Sequence, residues 1–233
     1  MMEIKFHPVS SVPFALDVKP VRASNIVPSW YREQDFGDEK HPTIKRCMPI
    51  LDAMTAGYMY VMPADVHVDA TNPDFLDFWL EDKSLWDYTP QILTDHHYHQ
   101  YNNYPMDLSK YHKEVMRVNP LWAIETPEGY STLFTNPIHQ LPTPIHAMSG
   151  IIDTDSYASS GFLSFFVTKG FKGVIKQGTP MVQMIPFKRE NWDSMWSSVV
   201  VDSQEKVIEQ HNKIKHSSIN HAYRELFRKL KRW

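Results

Sequence analysis

Residues 121–134 read LWAIETPEGYSTLF. Trp122 and Ile124 precede a Pro127-Glu128-Gly129 turn, and Tyr130, Leu133 and Phe134 follow it. Apolar residues on both sides of a Pro/Gly turn predict two β-strands around that turn. The β signal continues downstream through HAMSGIIDTDSY (146–157), GFLSFFVT (161–168), FKGVIKQG (171–178) and MVQMIPFK (181–188). Upstream, YMYVMPADVHVD (58–69) alternates like two strand pieces around Pro63, and EIKFHPV (3–9) reads as one strand.

Helical signals are few. MPILDAMTAG (48–57) reads as a short helix ending near Gly57, and SWYREQ (29–34) as a helical turn after Pro28. Residues 203–230 carry the strongest helical pattern: Ser203 is placed to cap it, and a break is expected near His216-Ser217-Ser218. FLDFWLED (75–82) fits neither period, and TDHHYHQYNNYPMD (94–107) reads as a surface loop or broad strand. The expected fold class is α+β, predominantly antiparallel β. The expected division is a β-rich domain over 1–202 and a helical segment over 203–233 packed on it.

Composition narrows the function classes. The chain has 233 residues, 42% of them apolar, enough for a sizeable core. Its net charge of -3 argues against wholesale nucleic-acid binding. Its single cysteine, Cys47, forbids an internal disulfide and suits a reducing compartment. The N-terminal MMEIKFHPVSSVPF lacks the apolar core of a signal peptide, and no apolar run approaches the roughly 20 residues of a membrane span. The expectation is a cytoplasmic protein, in the host cytoplasm if phage-encoded, with no membrane partner.

Four pieces occur in a telling order: DAMTAGYMYVMPADVHV (52–68), ETPEGYSTLF (125–134), SGIIDTDSY (149–157) and VIKQGTPMVQMIPFK (174–188). This order resembles the trimeric dUTPase and dCTP deaminase family, whose members run AGYDL, PxGYxGLIxPRS, GVIDxDYRG and IxxGDRIAQLI. The resemblance implies a dUTPase-like β-clip, closed here by a C-terminal helix, that binds or hydrolyses a nucleotide. It would make Asp153 the base that activates water, with Asp155 beside it. Tyr157 would shape the base pocket, Gln183 would lie near the phosphates at a subunit edge, and Tyr130 and Ser131 would contact substrate. It also implies Mg²⁺ in hydrolysis and a homo-oligomer with sites between subunits.

The sequence departs from that pattern. Met59 stands where the family has its AGYDL aspartate, Thr135-Asn136-Pro137 replaces PRS, and 149–157 holds no arginine. A helix takes the place of the glycine-rich arm. Residues 44–190 are also similar to an uncharacterised family found in phages and in bacterial genomes. Its members share the Trp-x-Ile-x-Thr-Pro-x-Gly-Tyr, Asp-Thr-Asp-x-Tyr and Gly-Thr-Pro-x-x-Gln-x-Ile-Pro-Phe segments. That likeness points to a phage origin and carries no activity.

Other constellations compete with plainer explanations. His97 and His99 would share one face of a strand, as two metal ligands must, with Asp95 on that face and His139 or His146 as a further ligand. A polar aromatic surface strand is the plainer explanation. His67-Val68-Asp69 has an oxygenase-like His-x-Asp spacing, which a charged turn explains more simply. Cys47 has Arg46 beside it but no adjacent histidine. The tail AYRELFRKLKRW is basic on one face, as a solvated helix often is. SGIIDTDSY itself reads either as a site or as an Asp-rich turn. Three readings stand: a dUTPase-like nucleotide protein; a non-enzymatic virion component or inhibitor of a host protein; and a His-dependent metalloenzyme.

Overall fold

The computed structural model describes residues 3–9, 11–12, 17–96, 98–101, 103–158, 161, 163–194, 200–215 and 222–231. In chain order the elements are β1 (Lys5–Pro8), β2 (Val21–Arg22), α1 (Ser29–Glu33), α2 (Met48–Met54), β3 (Tyr58–Val61), β4 (Val66–Asp69), β5 (Asp77–Leu80), α3 (Thr89–Ile92) and β6 (Leu93–His96). They continue with β7 (Tyr111–Val118), β8 (Trp122–Glu125), β9 (Tyr130–Thr135), β10 (Ile145–Ala147), β11 (Gly150–Ile152), β12 (Leu163–Thr168), β13 (Lys172–Ile175), β14 (Pro180–Lys188), α4 (Val200–Lys215) and α5 (Ala222–Leu226).

The chain forms two compact units. One comprises residues 1–28 and 54–189; the other comprises 29–53 and 190–233. The first holds every strand, and every strand pairing named here is antiparallel. Its sheets run β11-β9-β14-β3-β2, β10-β12-β7-β6, β13-β4-β5 and β1-β8. The protein is therefore an α+β chain dominated by antiparallel β-structure. The two strands around the Pro-Glu-Gly turn are present but do not pair with each other. β8 joins β1, whereas β9 lies between β11 and β14, so the turn passes the chain from one sheet to the next.

Side-chain alternation explains most strands. Val66 and Val68 point into the core while His67 and Asp69 point out. β12 is buried through Leu163–Val167, because Phe166 is covered in turn by Tyr104 and Tyr111 on the outer face. Methionine fills much of the core: Met54, Met59, Met62, Met116, Met181 and Met184 are fully buried. Unbranched and polarizable, these side chains fit the irregular gaps between small twisted sheets.

Two expectations need correction, and one further strand was not foreseen. FLDFWLED contains β5, whose Phe78 and Leu80 oppose Val68 and Val66. Residues 111–118, which show no apolar alternation, form β7, an interior strand whose pattern is hidden by His112 and Glu114. His112 is 2% exposed. Its Nε2–H donates to the Asn72 carbonyl (2.9 Å), and its Nδ1 accepts from the Glu114 N–H (3.0 Å). Glu114 Oε2 accepts from the Leu76 N–H at 2.7 Å. The buried His112 and the half-buried Glu114 thus hold inward positions by bonding the loop opposite. Ser203, finally, falls inside α4 rather than capping it. The expected break at 216–218 lies outside the described residues.

In the second unit, Asp52 on α2 receives Arg228 through Nη2 at 2.6 Å and through Nε at 3.2 Å, and Lys231 Nζ at 2.8 Å. The Arg228 hydrogen bonds hold the Asp52 carboxyl below the usual carboxylate range. Two basic residues of the C-terminal tail, Arg228 and Lys231, thus have a partner on α2. Among the described residues, no helix is long and apolar enough to cross a membrane.

The turn between α2 and β3 depends on Gly57. Its φ is +67°, and a Cβ there would lie 1.9 Å from the Met184 carbonyl oxygen. Gly57→Ala must therefore both strain the backbone and push β3 off β14. We expect a loss of more than about 2 kcal/mol in urea unfolding; a loss under about 0.5 kcal/mol refutes this account.

Candidate functional site

β9 places Tyr130 and Ser131 just after the Gly129 turn, and β11 delivers Asp153 just beyond its last residue, Ile152. Pairing of Ile152 with Thr132 brings the two segments side by side. After β11 the chain turns at once: the Asp153 carbonyl accepts from Ser156 N (3.1 Å) and Tyr157 N (2.9 Å). Thr154 anchors the turn from inside. Fully buried, its hydroxyl meets those of Thr126 (2.7 Å) and Thr132 (2.8 Å), and its carbonyl accepts from Thr126 N. With Thr154 inward, Asp153 and Asp155 are presented on either side of it.

The two carboxylates have different surroundings. Asp155 has a side chain only 6% exposed. It accepts from Gly129 N (2.8 Å) and from both terminal nitrogens of Arg189, with Nη1 at 2.9 Å from Oδ1. The arginine hydrogen bonds, helped by the Gly129 N–H, hold this carboxyl well below the ordinary carboxylate range. Asp153 has a side chain 62% exposed. Its Oδ1 accepts from Ser131 Oγ at 2.6 Å and from Arg189 Nη1 at 3.3 Å. Its Oδ2 accepts from no described residue. Arg189 Nη1 also donates to Ser131 Oγ (3.0 Å) and to the Tyr130 carbonyl (3.1 Å). One arginine thus ties Ser131, Asp153 and Asp155 into a single network.

Arg189 was not a sequence candidate. It follows the end of β14, whose Lys188 pairs with Tyr130, and its own N–H donates to the Gly129 carbonyl (2.8 Å). The available signal was the long strand ending in Lys188-Arg189, but only the register reveals which turn it reaches. The structure thus brings together Ser131, Asp153 and Asp155, with Tyr130 contributing its carbonyl. Tyr157 leaves the same turn with its ring 57% exposed. Gln183 is placed elsewhere, fully buried in β14. Its Nε2 donates to the Ala56 carbonyl (2.8 Å), and its Oε1 accepts from Ile138 N (3.0 Å).

His97 and the side chain of His99 lie outside the described residues. Among those described, no group of three or more His, Cys, Asp or Glu side chains could hold a metal ion. His67 stacks on Trp79 (ring centroids 4.0 Å apart), and Asp69 bonds Thr71 and Lys172. The donors around Asp153 do not fit a magnesium site built by this chain. Met59, at the position of the expected aspartate, is fully buried, and Asp155 is engaged by Arg189. Asp153 alone offers an open carboxylate oxygen.

No protein-family profile matches the chain, and no curated protein matches it. Among solved structures, it is similar to a mutant dUTPase from phage phi11 of S. aureus, described for its coordination of a structural Mg(II) ion. The match covers 85% of this chain and 98% of that one, at 9% identity and a TM-score of 0.34.

The Arg189–Asp155 pair sets a pH dependence. A depressed carboxyl stabilises the fold at all pH above its unfolded value, and that contribution is lost only as pH falls through the depressed folded value. In Arg189→Gln the Asp155 carboxyl should titrate at higher pH, and acid unfolding should begin at higher pH than in the wild type. A carboxyl ¹³C NMR titration with an acid circular-dichroism series checks both; an unmoved Asp155 titration assigns the depression to Gly129 N instead.

Proposed function

We propose that the protein binds a nucleotide at the turn following β11 and hydrolyses it there with Asp153 as general base. The observation that carries this is the asymmetry of Asp153. One oxygen is fixed by Ser131 and Arg189, and the other is open to solvent. A positioned carboxylate with one free oxygen can orient a water and take its proton. The water oxygen then forms a bond to phosphorus, the bond to the departing phosphate oxygen breaks, and Asp153 holds the proton. Arg189 stands beside the developing charge.

Other features support the reading. Tyr157 presents an exposed ring two residues beyond Asp155, suited to stacking on a base. A hollow of about 250 Å³ runs beside β11, lined by Phe134, Met148, Ile152 and Leu163. The order of the four sequence pieces is that of nucleotide-hydrolysing relatives. On this reading the protein works as an oligomer, and any Mg²⁺ arrives with the substrate's phosphates.

The test is a thermal-shift panel of nucleoside mono-, di- and triphosphates and cyclic nucleotides, with and without Mg²⁺, followed by product analysis. A ligand at about a hundredfold excess over Kd should stabilise the protein by about 2.7 kcal/mol. Asp153→Asn should keep the shift and lose at least about 100-fold in turnover. A shift without products means sequestration. The absence of any shift refutes the nucleotide reading and favours a virion or host-protein partner.

A further inference from the structure

A cavity of about 550 Å³ opens beside β7, lined by Tyr101, Tyr104, Met106, Asp74, Lys113 and Glu114. Its size is that of a small-molecule site. Two walls are aromatic, with ring centroids 6.4 Å apart and planes at 84°. Neither ring is loosely held. The Tyr101 hydroxyl donates to Ser164 Oγ at 2.7 Å. The Tyr104 ring packs on Phe166 with centroids 5.4 Å apart. Met106 adds a polarizable thioether.

The charges are unbalanced. Lys113 Nζ pairs with Asp74 Oδ1 at 2.7 Å, so these two cancel. Glu114 remains. Its Oε2 is used by Leu76 N, and its Oε1 has no hydrogen-bond partner among the described residues. The lining therefore carries one net negative charge next to two aromatic rings, whose faces are negative by their quadrupole. An anion would be repelled. A neutral apolar ligand would strip water from Glu114 without replacing it. A cation with an apolar surface satisfies the carboxylate and both rings together.

We propose that this cavity binds a small organic monocation of the alkylammonium class. Glu114 is the counter-charge, and Tyr101 and Tyr104 are the faces against which the cation packs. The site shares no residue with the Asp153 network, though Tyr101 also borders the hollow beside β11; the proposal makes no use of the nucleotide reading.

The test is calorimetric titration of the full chain with choline and with 3,3-dimethylbutan-1-ol, its uncharged carbon isostere. Choline should bind at least about tenfold more tightly than the isostere. Tyr104→Leu keeps apolar bulk but removes the ring face; Glu114→Gln keeps the acceptor for Leu76 N but removes the charge. Each should weaken choline binding by about 2- to 30-fold, with the unfolding temperature of the variant checked beside the wild type. Glu114→Gln should leave the isostere's affinity unchanged. Equal affinity for the two ligands, no heat from millimolar choline, or choline affinity unmoved in both variants overturns the proposal.

Discussion

The register of β14 on β9 is the constraint on which both the core and the site rest. Gln183 faces Thr135, Ile185 faces Leu133, and Lys188 faces Tyr130. Because strand side chains alternate, a slip of one residue would exchange every inward and outward position. It would also carry Arg189 past the Gly129 turn. Two features oppose such a slip. The Gln183 amide fits one place, between the Ala56 carbonyl and the Ile138 N–H, and elsewhere would be buried without partners. Pro186 lies beyond Met184, where pairing with β3 has ended, so its missing N–H falls where β14 has a neighbour on one side only.

Much of this fold was legible because its strands are short and bounded by Pro and Gly. β3, β4, β8, β9 and β12–β14 follow the apolar runs in the sequence. Two strands that were missed, β7 and β5, have separate physical causes. β7 fills inward positions with His112 and Glu114, whose Nε2 and Oε2 are taken up by the 72–76 loop, so its pattern shows no apolar alternation. β5 begins with the charged Asp77, is followed by Glu81-Asp82, and carries aromatic residues at adjacent positions, Phe78 and Trp79. Which strands neighbour one another was not legible at all. β8 and β9 adjoin in sequence yet belong to different sheets, because long-range pairing is decided by which faces can be buried together.

The candidate site shows the same division. Asp153, Asp155, Ser131 and Tyr130 could be read from two motifs. Arg189 could not, since it joins them only through the pairing of β14 with β9. Its presence alters the chemistry of the pair. Without it, Asp155 would be left to neutral donors such as the Gly129 N–H, and Asp153 to Ser131 Oγ. With it, Asp155 is engaged and shielded while Asp153 keeps an oxygen for other work. Environments that separate two like groups are a common basis for dividing structural and chemical roles between them. Here the division comes from one guanidinium whose geometry matches a carboxylate on two sides.

On the proposed nucleotide reading, the burial of Met59 bears on which phosphate compounds suit this site. Met59 lies between Gln183 on β14 and Val21 on β2, fully excluded from solvent. A carboxylate there would be desolvated without a partner, so this sheet has no room for a metal ligand at that position. The charges of the hydrogen-bonded network, Asp153 and Asp155 against Arg189, sum to one negative. A bare triphosphate approaching them meets net repulsion, offset only by Arg189, much of whose charge is already spent on Asp155. The arrangement therefore favours a phosphate compound that carries little negative charge or brings its own cation. Among nucleotides, those with fewer ionised phosphate oxygens, cyclic and monophosphate forms included, meet the least opposition at this turn.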